Sequence, residues 1–317
     1  MVPPLTVFPD ALTFAQDGKS VSIATVLSTW GSAPRPVGAQ MALTDTGDMI
    51  GSISGGCVEA AVIDAHTRVM RTGVPEILSF GVSDDTAFSA GLSCGGEIEV
   101  LIDPVGTDHG MSLQDLTHLT RAIQNRQSVS YRINTTTWAH HILDAPLPTA
   151  WNTPQFTHQI TAPMRIFIIG AVHIAQHLTR FAAEAGYLCH VMDPRSQFAT
   201  DTRFPGCDIT CAFADETLSP RDFDGQTAVI TLAHDPKIDL PALEMALQSE
   251  AFYIAALGSN RTHAKRQDDL LARGFTPEKI ARIHGPAGLD IGARDPAEIA
   301  LSILAELTLK RRGLKRA

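Results

Sequence analysis

The sequence predicts a two-domain α/β protein, with an N-terminal α+β domain (residues 1–160) followed by a domain built on a doubly wound parallel sheet (residues 161–317). At 317 residues and 34.0 kDa, the chain is longer than a typical single domain. After about residue 164, buried-strand runs alternate with helical stripes, which is typical of a parallel sheet. A linker between the domains is indicated by four prolines: Pro146, Pro148, Pro154 and Pro163.

The composition is that of an ordinary globular protein without the charge of a nucleic-acid-binding one. Hydrophobic residues make up 44% of the chain, and its formal net charge is −9. Because this charge repels anions, any anionic ligand must be held by local groups. The five cysteines are an odd number, and we find neither a leader-like N-terminus nor an apolar run long enough to span a bilayer. These features predict a reduced, cytoplasmic protein.

The first domain begins with a predicted strand at residues 20–28 and a hairpin whose strands, 39–44 and 48–54, flank Asp45-Thr46-Gly47. Further along, residues 113–127 predict a helix, and residues 129–143 alternate as strands do. This mixture of strands and helices indicates an α+β domain.

The hairpin leads into Gly55-Gly56-Cys57, the first of two cysteines beside a glycine pair. Apolar residues recur at helical spacing after it and Gly73 provides a stop, so Cys57 is predicted at a helix N-terminus. That position favours a thiolate and a bound anion. Because Gly55 and Gly56 lack a Cβ atom, their N–H groups are expected to approach a ligand closely.

The second such cysteine is Cys94, which precedes Gly95 and Gly96 and then a predicted strand, residues 97–102. Either cysteine alone is more typical of a small buried hydrophobic residue, but two glycine-flanked cysteines in one domain favour a binding site. Arg35, in a loop rich in Gly and Pro, is a candidate partner for an oxyanion. An ordinary surface arginine is the alternative.

The second domain opens with a strand-turn-helix-strand unit. Residues 164–169 predict a buried strand, Gly170 opens a turn, a helical stripe follows, and residues 187–192 predict a strand that ends at Asp193. This pattern is the signature of a Rossmann nucleotide fold, with phosphate at the helix N-terminus and ribose hydroxyls on the carboxylate. Val172, however, stands where glycine would admit a pyrophosphate, and its branched side chain would crowd that space.

Further strands, at residues 227–232, 251–257 and 282–284, extend the predicted parallel sheet. Ligands in such sheets gather at the carboxyl ends of the strands. Arg261 and Lys265 follow one of these ends and are candidate phosphate ligands. Asp295-Pro296-Ala297-Glu298 predicts a capping box that starts the last helix.

Several blocks together resemble the XdhC/CoxI family of molybdenum-hydroxylase accessory proteins. They are GSISGGCVE, GLSCGG, the Trp30 to Gly38 loop, the Gly170 turn closing on Asp193-Pro194-Arg195, GSNRTHAKR and GPAGLDIGARDPAEIALSILAEL. The resemblance implies a non-catalytic chaperone that binds molybdenum cofactor, presents it to a cysteine desulfurase and delivers it to apo xanthine dehydrogenase. It also implies a homodimer, and Cys94 before Cys57 as the thiol that contacts the cofactor.

Two departures from the family pattern bear on this expectation. The family's turn usually has the sequence G-A-G-H, where this chain has Val172, and Asn260 stands where a basic residue is common. Both departures weaken the case for nucleotide or phosphate binding in the second domain. The residue chemistry fits the resemblance otherwise, because molybdenum in its pterin dithiolene accepts soft sulfur ligands and the pterin phosphate needs local donors such as Gly95-Gly96 or Arg35.

Three other hypotheses remain open. An NAD(P)-dependent oxidoreductase would use the second domain, but a hydride-transfer residue set is lacking. A sulfurtransferase would carry a persulfide on Cys94. A zinc protein would use Cys207 and Cys211, although structural zinc sites need four ligands, so buried structural cysteines are the simpler interpretation there.

Overall fold

The computed structural model describes residues 7–31, 35–56, 58–81 and 96–313. The chain divides into two compact units at Pro163 and Met164. The N-terminal unit contains antiparallel sheets with helices, and the C-terminal unit contains a parallel sheet. The predicted fold class, an α+β domain followed by a Rossmann-like domain, is therefore confirmed.

The first sheet of the N-terminal unit has five antiparallel strands in the order β3-β2-β1-β5-β4. The strands are β1 (Val21–Trp30), β2 (Gln40–Thr44), β3 (Met49–Gly51), β4 (Glu76–Phe80) and β5 (Glu97–Pro104). The helices of this unit are α1 (Phe8–Gln16), α2 (Glu59–Thr72) and α3 (Leu113–Gln124). The predicted hairpin is β2-β3.

Helix α2 packs its apolar stripe on one face of this sheet. Val62, Ala65 and Val69 lie in one buried cluster with strand residues such as Val26 and Val100. The helix ends at Gly73, whose φ of 70° is the left-handed conformation that glycine adopts readily. The predicted helix is therefore confirmed, and its first residue is Glu59.

The predicted linker is wrong, because the proline-containing stretch forms two strands. The second sheet of this unit has the order β7-β6-β9-β8, with strands β6 (Val129–Asn134), β7 (Ala139–Leu143), β8 (Ala150–Asn152) and β9 (Gln155–Ile160). Pro154 lies in the turn between β8 and β9, where its missing N–H is not needed for the ladder. Phe156 and Ile160 are buried in β9, so apolar burial outweighs the turn signals.

The C-terminal unit is a six-stranded parallel sheet in the order β12-β11-β10-β13-β14-β15. Its strands are β10 (Arg165–Ile169), β11 (Leu188–Met192), β12 (Asp208–Thr210), β13 (Thr227–Thr231), β14 (Tyr253–Ala256) and β15 (Ile283–His284). The chain order along the sheet reverses between β10 and β13, which is the switch point of a Rossmann fold.

Helices cover both faces of the parallel sheet, and each face has its own buried cluster. The helices are α4 (His173–Glu184), α5 (Ala214–Thr217), α6 (Pro236–Leu247), α7 (Asn260–Ala272), α8 (Pro277–Ile280) and α9 (Pro296–Arg311), with a 3₁₀ turn at Pro220–Asp222. Asp295 and Glu298 form the predicted capping box at the start of α9. Among the described residues, no helix has the length and apolarity needed to cross a bilayer.

Candidate functional site

The described ends of three motif-bearing segments lie at one end of the five-stranded sheet, which we call the motif end. Strand register shows this, since Trp30 at the end of β1 pairs with Glu97 at the start of β5, and Phe80 at the end of β4 pairs with Ile98. Strand β3 also leaves the sheet at this end, where Gly51 pairs with Met41. The loop after β1, the turn after β3 and the segment between β4 and β5 therefore share one end of the sheet.

Arg35 connects two of these segments directly. Its Nε donates a hydrogen bond of 3.2 Å to the backbone oxygen of Ser52, so the loop after β1 is attached to the turn after β3. The predicted oxyanion partner thus lies at the motif end. Gly96, which is buried, precedes β5 at the same end.

The predicted thiols Cys57 and Cys94, together with Gly95, lie outside the residues that the structure describes. Their positions along the chain are still informative. Cys57 stands between Gly56 and Val58 in the turn after β3, and Cys94 and Gly95 precede Gly96. Both cysteines therefore belong to segments that begin or end at the motif end.

The turn after β3 forms a concave group of backbone donors that we call the nest. The N–H groups of Ser54, Gly55, Gly56 and Val58 all donate to the Glu59 carboxylate, at 3.1, 3.1, 2.9 and 3.2 Å. Gly55 and Gly56 have φ values of 83° and 123°, which turn successive N–H groups toward one acceptor. The two glycine N–H groups predicted to face a ligand are engaged by Glu59 in this structure.

Glu59 is held in its ionised form. Burial alone would raise its pKa, but hydrogen bonds from the Ser54 hydroxyl and from backbone N–H groups outweigh burial and lower the pKa below its ordinary value. Because Glu59 is also the first residue of α2, the helix dipole favours its negative charge. The nest therefore binds a carboxylate of the chain itself. Its spacing, three residues after Gly56, was the sequence signal for this contact.

A buried histidine lies beside the loop after β1. A Cβ atom on Gly38 would come within 3.1 Å of His158 Nε2, so Gly38 packs closely on this ring. Burial lowers the pKa of His158 to about 4, so the ring is neutral at physiological pH. Within the described ranges, its Nδ1 has no hydrogen-bond partner. Sequence analysis missed this residue because nothing local marks it.

The Rossmann turn in the C-terminal unit is closed by its own side chains. Gly170 has a φ of 104°, and a Cβ atom there would lie 2.5 Å from the backbone nitrogen of Ala233. The N–H of Ala171 donates to Asp193 Oδ2 at 2.8 Å. Val172 is the N-cap of α4 and makes no side-chain capping hydrogen bond. Gly170 is therefore required by packing.

Asp193 is fully buried, and its carboxylate contacts groups of the chain itself. Arg195 donates to it through the backbone N at 3.0 Å, Nε at 2.8 Å and Nη2 at 2.7 Å. Burial would raise the pKa of Asp193, but the hydrogen bonds from Arg195 and Ala171 outweigh it and lower the pKa. The carboxylate predicted to accept ribose hydroxyls instead binds Arg195.

The remaining C-terminal candidates are Arg261 and Lys265 in α7. Arg261 is an exposed residue in the first turn of α7. Lys265 lines a cavity of about 60 Å³ together with residues of α6 and α7, among them Asp239 and Arg266. Burial raises the pKa of Asp239 to about 6 and lowers that of Arg266. This cavity therefore combines charges of both signs.

The environment of Cys207 and Cys211 bears on the zinc hypothesis. Within the described ranges, no group of three or more His, Cys, Asp or Glu side chains is placed to hold a metal ion. Cys211 is exposed and Cys207 is only partly buried, so the interpretation of both as buried structural cysteines is also wrong. Sequence analysis did not foresee that Cys207 contacts Cys189 in the neighbouring strand.

These features define a class of protein, in which an α+β module with cysteine-glycine motifs at one sheet end is joined to a Rossmann domain. Two family models match the chain in agreement with this division. The model for the XdhC Rossmann domain matches residues 166–307, and the model for the XdhC and CoxI family matches residues 14–81.

The chain belongs to the XdhC and CoxI family. It is 31% identical over 306 residues to the molybdenum cofactor insertion chaperone PaoD of Escherichia coli K12, covering 96% of this chain and 88% of that protein. It is 27% identical over 320 residues to a probable xanthine dehydrogenase subunit of Bacillus subtilis 168, covering 94% and 95%. A crystal structure described as a xanthine dehydrogenase from Bacillus halodurans shares the fold, with a TM-score of 0.80, 24% identity and coverage of 99% and 98%.

Proposed function

We propose that this protein is a molybdenum cofactor chaperone. It binds the cofactor at the motif end, presents it to a cysteine desulfurase for sulfuration and inserts it into apo xanthine dehydrogenase or a related molybdenum hydroxylase. The observation that carries the proposal is that the strands flanking the three motif segments begin or end at one end of the N-terminal sheet. The name of the relative PaoD supports the same role.

The chemistry of the motif end fits such a cargo. The metal of the cofactor accepts soft sulfur ligands. Its pterin part carries an anionic phosphate. Cys94, and secondarily Cys57, would supply a thiolate to the metal. Gly95, Gly96, Arg35 and the nest would supply donors to the phosphate.

The nest gives this fit a specific physical basis. Its four N–H donors already bind an oxyanion, the Glu59 carboxylate. Among the described residues, a Cβ atom on Gly55 or Gly56 would meet no atom within 4 Å. An anionic group of the cargo can therefore approach the same donors if Glu59 yields them.

In this proposal the chain performs no net reaction of its own. The N-terminal domain (residues 1–160) holds the cofactor, and the Rossmann-like domain (residues 161–317) has a structural or partner-binding role, since Ala171 N–H and Asp193 are engaged internally. We further propose a cytoplasmic homodimer, because handling a sulfurated cofactor requires a reducing compartment and because the family resemblance implies a dimer.

Cofactor retention tests the proposal. The wild-type protein and the Cys94→Ala, Cys57→Ala and Cys211→Ala variants are purified from molybdate-fed cells, and molybdenum and pterin are measured after gel filtration. We expect wild type and the Cys211→Ala control to retain both, Cys94→Ala to lose them, and Cys57→Ala to retain an intermediate amount. Thermal unfolding of each variant shows whether it has folded. A folded Cys94→Ala variant with wild-type molybdenum content would contradict the assignment of this thiol.

Calorimetry with NAD and AMP separates this proposal from an oxidoreductase. We expect negligible binding by wild type, because the Rossmann turn is closed by Asp193 and carries Val172. Val172→Gly is expected to restore some binding, since it removes the branched side chain. Tight binding of NAD by wild type would favour the oxidoreductase instead.

A further inference from the structure

Cys189 lies in strand β11, and Cys207 comes directly before strand β12, which pairs with β11. The register of β11 and β12 pairs His190 with Asp208, Val191 with Ile209 and Met192 with Thr210. Cys189 and Cys207 each come one residue before the first of these pairs. Adjacent strands lie about 4.8 Å apart, and Cα atoms joined by a disulfide are usually about 4.4–6.8 Å apart. The backbone therefore places these two cysteines at a separation that a disulfide can span.

The side chains of the pair also face each other. Residues at the same register on neighbouring strands project to the same face of the sheet. Cys189 is a member of the buried cluster on one face of this sheet, and Cys207 packs against that cluster. The Cys189 and Cys207 thiols interact directly, since each shifts the pKa of the other. The Cys189 thiol also lies 3.9 Å from the backbone oxygen of Thr179.

The contact makes the two sulfurs chemically different. The neighbouring Cys189 thiol lowers the pKa of Cys207, because it stabilises the thiolate. The proximity of Cys207, followed by burial, raises the pKa of Cys189. Cys189 is buried, whereas Cys207 is partly exposed. Cys207 therefore has the properties of an attacking thiolate, and Cys189 is the neighbouring thiol within the same cluster that can resolve its sulfenic acid.

We propose that Cys189 and Cys207 form a reversible disulfide when the protein meets a peroxide. The Cys207 thiolate attacks one peroxide oxygen, breaks the O–O bond and becomes a sulfenic acid, and the other oxygen leaves as water after protonation. The Cys189 sulfur then attacks the Cys207 sulfur, its proton leaves with the hydroxyl group as a second water, and the S–S bond forms. Two thiols are oxidised by two electrons, and one peroxide is reduced to two waters.

The disulfide would attach the edge of the sheet to its interior. Strand β12 has three residues and lies at the end of the sheet order, where it pairs only with β11. Short edge strands open more readily than central strands. A covalent bond between Cys207 and Cys189 would prevent β12 and the turn before it from separating from β11. The redox state of the pair would thus set the mobility of this edge.

The parent protein for the test is the 317-residue chain with Cys57→Ser and Cys94→Ser, which leaves three cysteines. It is compared with three variants that also carry Cys189→Ser, Cys207→Ser or Cys211→Ser. Each protein is treated with hydrogen peroxide, alkylated and examined by intact-mass and peptide-mapping mass spectrometry. We expect a linked Cys189–Cys207 peptide in the parent and in the Cys211→Ser control, and none in the other two. Melting temperature should rise by about 5 °C on oxidation and return with dithiothreitol.

Several results would overturn the proposal. One is a linked peptide that contains Cys211 in place of Cys189 or Cys207. Another is conversion of Cys207 to sulfinic acid while Cys189 remains alkylatable, because this would show that the buried thiol does not resolve the sulfenic acid. Because Cys189 is a core residue, its serine variant can unfold; Cys207→Ser, at a partly exposed position, then carries the comparison alone. A folded Cys207→Ser protein that still loses two thiols on oxidation also contradicts the pairing.

Discussion

The two glycine turns of this protein both bind an acidic side chain through backbone N–H groups, but they differ in exposure and packing. In each, backbone N–H groups at a turn donate to an acidic side chain of the chain itself: Glu59 at the nest and Asp193 at the Rossmann turn. Gly55 and Gly56 of the nest are exposed, and added Cβ atoms there would meet no atom of the described residues within 4 Å. At Gly170, by contrast, an added Cβ would collide with Ala233.

This difference separates a turn that can exchange its acceptor from one that cannot. Glu59 is only partly buried and lies at the start of a helix, so its side chain can move into solvent without leaving a cavity. Asp193 is fully buried and is held by Arg195 from three nitrogen atoms. The sequence pattern typical of nucleotide binding thus forms a packed structural turn here, whereas the Gly-Gly turn has exposed glycines whose N–H groups bind a partly buried carboxylate.

The largest expected effect comes from adding a methyl group at Gly170, and the same change at Gly55 provides the comparison. Gly170→Ala should lower the free energy of unfolding by about 3–5 kcal/mol, because its Cβ meets backbone atoms and its φ of 104° is strained for alanine. Gly55→Ala should cost about 1 kcal/mol, because it has only the positive φ to overcome. Urea unfolding of both variants beside wild type measures the difference.

Equal losses of unfolding free energy in Gly170→Ala and Gly55→Ala would contradict the difference between the two turns. They would mean either that the Rossmann turn relaxes around the added methyl group or that the nest is packed in solution. Gly18→Ala is a matched control, because Gly18 also has a positive φ, of 79°, and no atom within 4 Å of an added Cβ. It should behave as Gly55→Ala does, so a larger loss at Gly55 would indicate a contact specific to the nest.

Removing the charge at Asp193 should have the next largest effect. Asp193→Asn leaves the Arg195 guanidinium without its ionic partner and replaces one accepting oxygen by an amide. We expect a loss of about 2 kcal/mol, below that of a fully buried pair because Arg195 is partly exposed and can be hydrated. Thermal or urea unfolding at neutral pH measures it. An unchanged stability would show that the Ala171 contact alone holds the turn.

Much of the fold could be predicted because its signals are local. The strand from Arg165 to Ile169, the turn at Gly170 and the capping box at Asp295 each depend on residues within a few positions of one another. Strand β9 could not be predicted in the same way. Its neighbouring prolines are typical of a loop, and only pairing with β6 and burial of Phe156 make it a strand.

The candidate site was predicted less completely, for a related reason. Sequence alone indicated Gly55, Gly56 and Arg35, and the structure brings their segments to one sheet end. It did not show that Glu59 takes the glycine N–H groups, although its spacing carried that information. The contact between Cys189 and Cys207 depends on the register of two strands, which no local pattern fixes.

A further substitution tests the charge of Glu59 at the nest, with a smaller expected effect than Gly170→Ala. Glu59→Gln keeps one accepting oxygen but removes the charge, so we expect a loss of about 1–2 kcal/mol at neutral pH, much of it from weaker hydrogen bonds to Ser54, Gly55 and Gly56. Because the folded-state pKa of Glu59 is below the ordinary value of 4.5, this stabilisation is present above pH 4.5 and is lost as the pH falls through the folded-state pKa. The two unfolding curves should therefore converge in acid. A difference that stays constant from pH 7 to well below the folded-state pKa would show that Glu59 acts through its shape and not through its charge, and the nest would then not be selective for an anion.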